Sequence, residues 1–540
     1  MLPDDQQPLA AELGIARFSQ NSSYGAIAGL CNALGSLLTG IIVAHSLGVE
    51  NTGVIAFALW IAMFAAAVAD LGIQATLARY LPELIASDRP RDADRLAAYL
   101  QRRIALSCCA ALALFICYGV WDWRTGRAGS AVWGLIGVAC ALQALAGFTY
   151  GYLRGIQRFH HVALTTAVSL GVQLVLVAVG SLTFGIPGAL VGYCAGSAVP
   201  AALALRSVHG IGPLASDIRV RAWRYALYAW AGALSSTLVW SRAEVFFLNR
   251  STGSAAVGLF TVGVTLANLA SQGPMLLTAG LLPYFAQRFG KGAFAEMGEA
   301  YAAATRMLAF LVFPACFGMA AVLPVLLPML YGQDFAGAIP AASILLVGAG
   351  IGSAAFVGSS LVMAVDRSDF IFLSGLLAAA LTVIAGFTVI PASGLMGAAC
   401  ARAAIQVAVV AFGSWFIYFR LRFPLPFAAL AKLLLAALSC GAAARLCLLV
   451  TSPASLPAAI LSGGVVYLVT VRALRALPAS DIERLRAVVR PLPGWLRSST
   501  EFALWVISPP PGRGHRSAPA GAPAQPLSTA IESKGGHSGN

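Results

Sequence analysis

Apolar residues arrive along this chain in repeated runs of about 20 to 28, divided by short polar turns. A helix needs roughly 20 apolar residues to cross the hydrocarbon of a bilayer, so each run predicts one transmembrane helix. The runs lie near 24–46, 53–77, 104–121, 131–152, 162–183, 186–205, 225–248, 256–285, 306–330, 337–363, 369–391, 394–419, 425–450 and 456–477. The pattern therefore predicts an all-α polytopic membrane protein of about fourteen helices.

The runs group as two lobes of six helices, 21–206 and 223–420, with two more helices in 424–478. Residues about 205 apart support the grouping. Gly53 opens the second helix as Gly258 opens the eighth, and Ile156-Gln157-Arg158 precedes the fifth as Val365-Asp366-Arg367 precedes the eleventh. Gly188, Cys194, Ala195 and Ala198 answer to Gly394, Cys400, Ala401 and Ala404, a register that gives Arg402 the counterpart Gly196. An even number of helices per repeat keeps their orientation, so the axis relating the lobes runs along the membrane normal. Such repeats place a substrate site between lobes that rock against each other. Gly147, Gly151 and Gly155, and again Gly188, Gly192 and Gly196, recur at every fourth residue, the spacing that lets membrane helices approach closely. Pro314, Pro324 and Pro328 mark bends in the ninth helix.

Charge fixes the expected orientation. Of the 35 Lys and Arg residues, only Arg124, Arg127 and Arg250 fall on one side, and Arg242, Arg402 and Arg445 lie within spans. The others, nine in the C-terminal tail among them, share the opposite side with both termini, which the positive-inside rule makes cytoplasmic. The net charge of +14 is this bias, and no basic stripe on a soluble domain points to nucleic acid. With 59% hydrophobic and 10% charged residues, the chain cannot solvate the surface of a soluble protein of its size. Residues 1–20 read as a cytoplasmic segment, 479–507 as an interfacial amphipathic segment, and 508–540, rich in Pro, Gly, Ser and Ala, as a disordered tail. All ten cysteines lie in apolar runs as packing residues; no metal cluster or phosphate-binding loop occurs, so no cofactor is expected.

Ionisable groups within spans carry the candidate chemistry, since each costs about 2.5–3.5 kcal/mol at the bilayer centre and tends to face a cavity or partner. Arg402 lies deep in the twelfth helix and is the leading substrate-facing cation; Arg445, near the end of the thirteenth, is expected to snorkel to the interface. Arg242 and Glu244 lie in the seventh, too far round the helix from each other to pair, and Asp70 lies in the second. Arg17, Arg79 and Arg154 (with Arg158) stand at the cytoplasmic mouth, where Arg suits a diphosphate.

Five stretches carry a resemblance: SLGVENTGVIAFALW, ADLGIQATLARYLPE, GYLRGIQRF, GSAAVGLFTVGVTLANLA and VLLPMLYGQDFAGAIPAASILL. In this order and spread over roughly residues 20–420, they resemble the bacterial Wzx-type oligosaccharide flippases, in the superfamily that includes MATE exporters and lipid II flippases. His45 stands where such proteins often carry Arg, which removes an expected cation from the outer end of the first helix. The resemblance implies alternating-access flipping of undecaprenyl-pyrophosphate-linked oligosaccharide across the inner membrane for surface polysaccharide, such as O-antigen, exopolysaccharide or capsule. It implies membrane lipids, a polysaccharide polymerase and a chain-length regulator as partners, and no enzymatic activity. A MATE-like drug or cation antiporter is the alternative on the same fold, kept open by Glu244 and Asp70. A polymerase or ligase would present a large outward loop, and every outward loop here is short.

Overall fold

The computed structural model describes residues 7–125, 130–206, 212–240, 243–275, 281–450 and 456–489, with 501, 504, 506 and 507. Among them there is no strand, and ten helical stretches are long and apolar enough to cross a membrane. Three of the ten hold two helices each, joined through a glycine. α1 (Gln7–Ala69) turns at Gly48 (φ 76°, ψ −177°), α5 (Phe159–Arg206) at Gly185 (φ 63°, ψ −135°), and α13 (Ser368–Trp415) at Gly394 (φ 54°, ψ −132°). A side chain at those angles would collide with the backbone, so glycine permits a reversal within a single residue.

The opposite end of the bundle uses another turn. α2 (Ile73–Ala86) meets α3 (Pro90–Arg124) through Asp88, and α4 (Ser130–Gly155) meets α5 through Gln157. Asp366 joins α12 (Ala354–Ala364) to α13. These residues take φ near 57°, and each following N–H bonds a carbonyl five residues back, as Arg158 does to Leu153 and Arg367 to Val362. That is a left-handed helix cap, closing the carbonyls that a helix end leaves open.

The turns fix the register of the repeat. Gly48 matches Gly253, the φ 89° turn between α7 (Glu244–Thr252) and α8 (Ser254–Met275). Gln157 matches Asp366, as expected. The sixth and twelfth helices differ from expectation: Gly185 matches Gly394, and Gly188 matches Gly397, three residues from the register read in sequence. A Cβ on Gly188 or on Gly397 would strike the carbonyl eight residues earlier, of Gly180 or Val389, across the preceding turn. Arg402 therefore corresponds to Tyr193 and not to Gly196. The second lobe holds extra residues between its marks, in the stretch containing the 3-10 turn Gln333–Ala338.

The first lobe packs along its glycine stripes. Cβ atoms on Gly151 and Gly155 would lie 2.7 Å from the Gln74 and Leu77 carbonyls of α2, and one on Gly192 would lie 2.5 Å from the Val177 nitrogen. α6 (Ser216–Trp240) opens the second repeat, yet Ile218 and Ala222 are buried in the core of the first lobe. Of the described parts of the expected seventh helix, α6 leans on the first lobe and α7 packs on α13. α9 (Leu281–Gly290), α10 (Phe294–Tyr331), α11 (Ile339–Gly352) and α12 complete the second lobe. α10 holds Pro314, Pro324 and Pro328 without a break in its helical backbone. α14 (Phe427–Val450) and α15 (Leu456–Ala473) pair with each other and lie along α10.

α16 (Ala479–Val489) falls in the segment read as interfacial, but protein and not lipid covers part of its apolar face. Ile482 and Leu485 join the core of the second lobe, and buried Asp481 accepts a 2.6 Å hydrogen bond from Arg306 Nε of α10. Residues 508–540 lie outside the described residues.

Candidate functional site

Between the lobes lies a cavity of about 530 Å³. Its wall is built from α1, α4 and α5 of the first lobe and from α7 and α8 of the second. Amides face it from Asn32, Gln143, Gln173 and Asn268; hydroxyls come from residues such as Ser36, Ser169 and Thr265, and aromatic surface from Trp60, Tyr150 and Tyr193. No charged side chain is among the lining residues described. Such a wall offers donors, acceptors and flat apolar faces, the combination that suits a polyhydroxylated ligand better than an ion. Trp60 runs beside Phe57 and Phe64 on its own helix and meets Phe246 of α7 at 6.0 Å between centroids, joining the lobes at the cavity wall. Its Nε1 and the Thr261 hydroxyl are buried without a hydrogen-bond partner among the described residues.

The lobes touch at both ends of the bundle. At the Gly48 end the second and eighth helices touch through Gly53 and Gly258. A Cβ on Gly53 would lie 1.7 Å from the Ser254 carbonyl, and one on Gly258 2.3 Å from that of Val49. His45 Nε2 meets the Leu330 carbonyl at 2.9 Å beside them, so the residue that replaces the expected Arg ties the two lobes. At the Asp88 end α2 meets α6: Tyr80 and Tyr225 pack edge to face at 5.7 Å, and Arg221 pairs with Glu83 at 3.2 Å.

The residues singled out from sequence fall into three groups. Arg402 and Glu244 come together: one guanidinium nitrogen of Arg402 donates to both carboxylate oxygens of Glu244, at 3.2 and 3.1 Å. At 7% and 2% exposed they form a sealed ion pair tying α13 to the first residue of α7, and neither is among the residues lining the cavity. The corresponding place in the first lobe is uncharged. Thr39 stands for Glu244 and Tyr193 for Arg402, and Thr39 accepts a hydrogen bond from Gln173.

Asp70 lies in the break between α1 and α2, where Leu71 and Gly72 take positive φ. Its Oδ1 accepts the Gln74 N–H at 3.2 Å, capping α2. The carbonyls freed on the other side of the break, those of Ala67 and Val68, accept from the indole N–H of Trp230 on α6 at 3.2 and 3.1 Å. Trp230 was not marked by sequence, since nothing local distinguishes it from other interfacial tryptophans.

Arg79 and Arg154 are exposed at the Asp88 end, Arg79 lying 4.9 Å over the Tyr225 ring. His160 and His161 lie beside Arg158 at the start of α5, their rings 4.1 Å apart. Arg242 lies outside the described residues, and Arg17 sits on α1 with its side chain outside them.

Among solved structures, the chain is similar to the lipid II flippase MurJ in an inward closed conformation, with a TM-score of 0.68 and 14% identity over 84% of this chain and 97% of that one. It is also similar to a multidrug resistance MATE family transporter of the MOP superfamily. The inward-facing form gives a TM-score of 0.57 at 17% identity over 75% of this chain and 96% of that one. The outward-facing form gives 0.52 at 17% identity, over 77% and 96%. At these identities the likeness shows the fold: that of MurJ and the MATE transporters. No curated protein matches the sequence. The sequence model of the family described as polysaccharide biosynthesis protein matches residues 18–289, half of the chain, and the chain belongs to that family.

Proposed function

We propose that this protein is a flippase of fourteen spans that moves undecaprenyl-pyrophosphate-linked oligosaccharide from the cytoplasmic to the outer leaflet of a bacterial inner membrane. The observation that carries the reading is the cavity between the lobes, walled by amides, hydroxyls and aromatic rings, in a chain of a polysaccharide biosynthesis family. The sugars occupy that cavity while the polyprenyl tail stays in lipid. Orientation follows the charge bias, with both termini and the Asp88 end in the cytoplasm. Arg79 and Arg154, with Arg17, then stand where the diphosphate enters. Transport needs the lobes to part at one end while they meet at the other. Polymer assembly from the exported unit requires a polymerase and a chain-length regulator as downstream partners, and the protein itself carries out no bond chemistry.

A cation exporter on the same fold would present a carboxylate to the cavity. Glu244 is instead neutralised by Arg402, and Asp70 caps a helix. Deletion of the gene tests the proposal. Loss of a surface polysaccharide, with its lipid-linked repeat unit building up on the cytoplasmic leaflet, is expected; normal polymer in a deletion strain without a second such gene would overturn it.

A further inference from the structure

A second hollow, of about 510 Å³, lies outside the two-lobed passage, between α10, α11 and α14. Small residues create it: Ala320 and Ala321 on α10 face Ala437, Gly441 and Ala442 on α14, where larger side chains would fill the space. Its lining is apolar except for Ser343 and Arg445. Arg445 is exposed, with no acidic partner among the described residues, and the neighbouring segment 451–455 carries no acidic residue. It stands five residues before the end of α14, hence about 7–8 Å from that end at 1.5 Å per residue.

An apolar groove facing lipid, beside an exposed guanidinium with no acidic partner among the described residues, matches one kind of molecule: a lipid with a phosphate head and a hydrocarbon chain. Arg presents a planar fork of donors to phosphate oxygens, and cationic pockets between membrane helices select anionic head groups. We propose that this groove is a binding site for an anionic phospholipid of the bilayer, its phosphate on Arg445 and one acyl chain laid between α10 and α14. Snorkelling alone would lead Arg445 to any polar surface; the groove beneath it gives the head group a fixed place and the chain a channel. The small residues then serve to hold lipid, and the bound lipid ties α14 to the second lobe on the side away from the cavity.

The test uses the full-length protein, purified and exchanged into mixed micelles of phosphatidylglycerol or phosphatidylcholine. Bound lipid is read by mass spectrometry of the intact protein, and thermal stability is read in parallel. The wild type should retain phosphatidylglycerol over phosphatidylcholine and gain stability from it. Arg445→Gln should lose that preference, Arg445→Lys should keep part of it, and Ala442→Phe, which fills the groove from its lipid-facing side, should release the lipid with Arg445 intact. Equal retention of the two lipids by the wild type would overturn the proposal, as would undiminished preference in Arg445→Gln. Retention of a polyprenyl phosphate in place of phospholipid would also overturn it, assigning the groove to the cargo's carrier.

Discussion

Gly53 and Gly258 each face the backbone four residues before the other: the Cβ position of Gly53 falls on the Ser254 carbonyl, and that of Gly258 on the Val49 carbonyl. Reciprocity of this kind is what a two-fold axis between two equivalent helices produces. It places the pseudo-symmetry axis of the molecule between the second and eighth helices, beside the cavity. It also makes one pair of helices both the seam of the repeat and the closure at one end.

Side chains at this seam should hold it open. Gly53→Val or Gly258→Val puts atoms where a carbonyl now lies, so the two helices must separate at the Gly48 end while each lobe keeps its own core. Transport should be abolished with expression unchanged. In a background whose sole cysteine is Cys31, which lines the cavity, a membrane-impermeant maleimide added from the Gly48 side should react faster in the variant. Unchanged labelling would show that the contact is not the closure.

The Arg402–Glu244 pair should behave as a structural tie. Removing one partner leaves a buried charge uncompensated, a loss of about 3–5 kcal/mol, whereas replacing both by apolar residues of similar volume is often nearly neutral. Arg402→Ala and Glu244→Leu should each lower thermal stability, and Arg402→Met combined with Glu244→Leu should recover most of it. Complementation by the double variant separates the roles. Recovery makes the pair a tie between α13 and α7; persistent loss of transport in a stable protein gives Arg402 a part in handling substrate.

Trp230 holds the other end. Its N–H satisfies carbonyls that the break in the second helix leaves open, and Trp230→Phe keeps the ring while removing that donor at a cost of about 1 kcal/mol. A larger effect on function than on stability is expected, because α6 would leave the first lobe more readily. Hydrogen exchange in residues 66–72 should rise in the variant with the rest of α1 unchanged.

Truncation should divide the tail in two. Ending the chain after residue 507 keeps α16 and the Arg306–Asp481 bond and should leave activity intact. Ending it after residue 478 exposes Arg306 and the surface that Ile482 and Leu485 cover, and should lower the melting temperature. Equal stability of the two truncations would mean that α16 adds nothing to the second lobe.

Much of this architecture could be read from the chain. The spans follow from apolar run lengths, and the family stretches prove to be the turns themselves: Gly48 with Gly53, Asp70 to Gly72, Gln157, and Gly253 with Gly258. A turn of positive φ restricts its own residue, so it leaves a local mark. Contacts across the molecule leave none. The pairing of Arg402 with Glu244, the cap that Trp230 provides and the Thr39–Gln173 bond each need two distant segments in register, and the extra residues in the second lobe shifted that register for the last helices of the repeat. α16 was legible as amphipathic, but an apolar face has the same spacing whether lipid or protein covers it.

Reconstitution gives the most direct test of the central claim, that sugars cross within the cavity between the lobes. Vesicles holding the purified protein would carry a fluorescent polyprenyl-pyrophosphate oligosaccharide, with exposure on each leaflet read by a lectin or a quencher that cannot enter. The account predicts protein-dependent equilibration of the label between leaflets, lost in Gly53→Val vesicles. A rate no faster than in protein-free vesicles, or an equal rate with the seam held open by Gly53→Val, would contradict it.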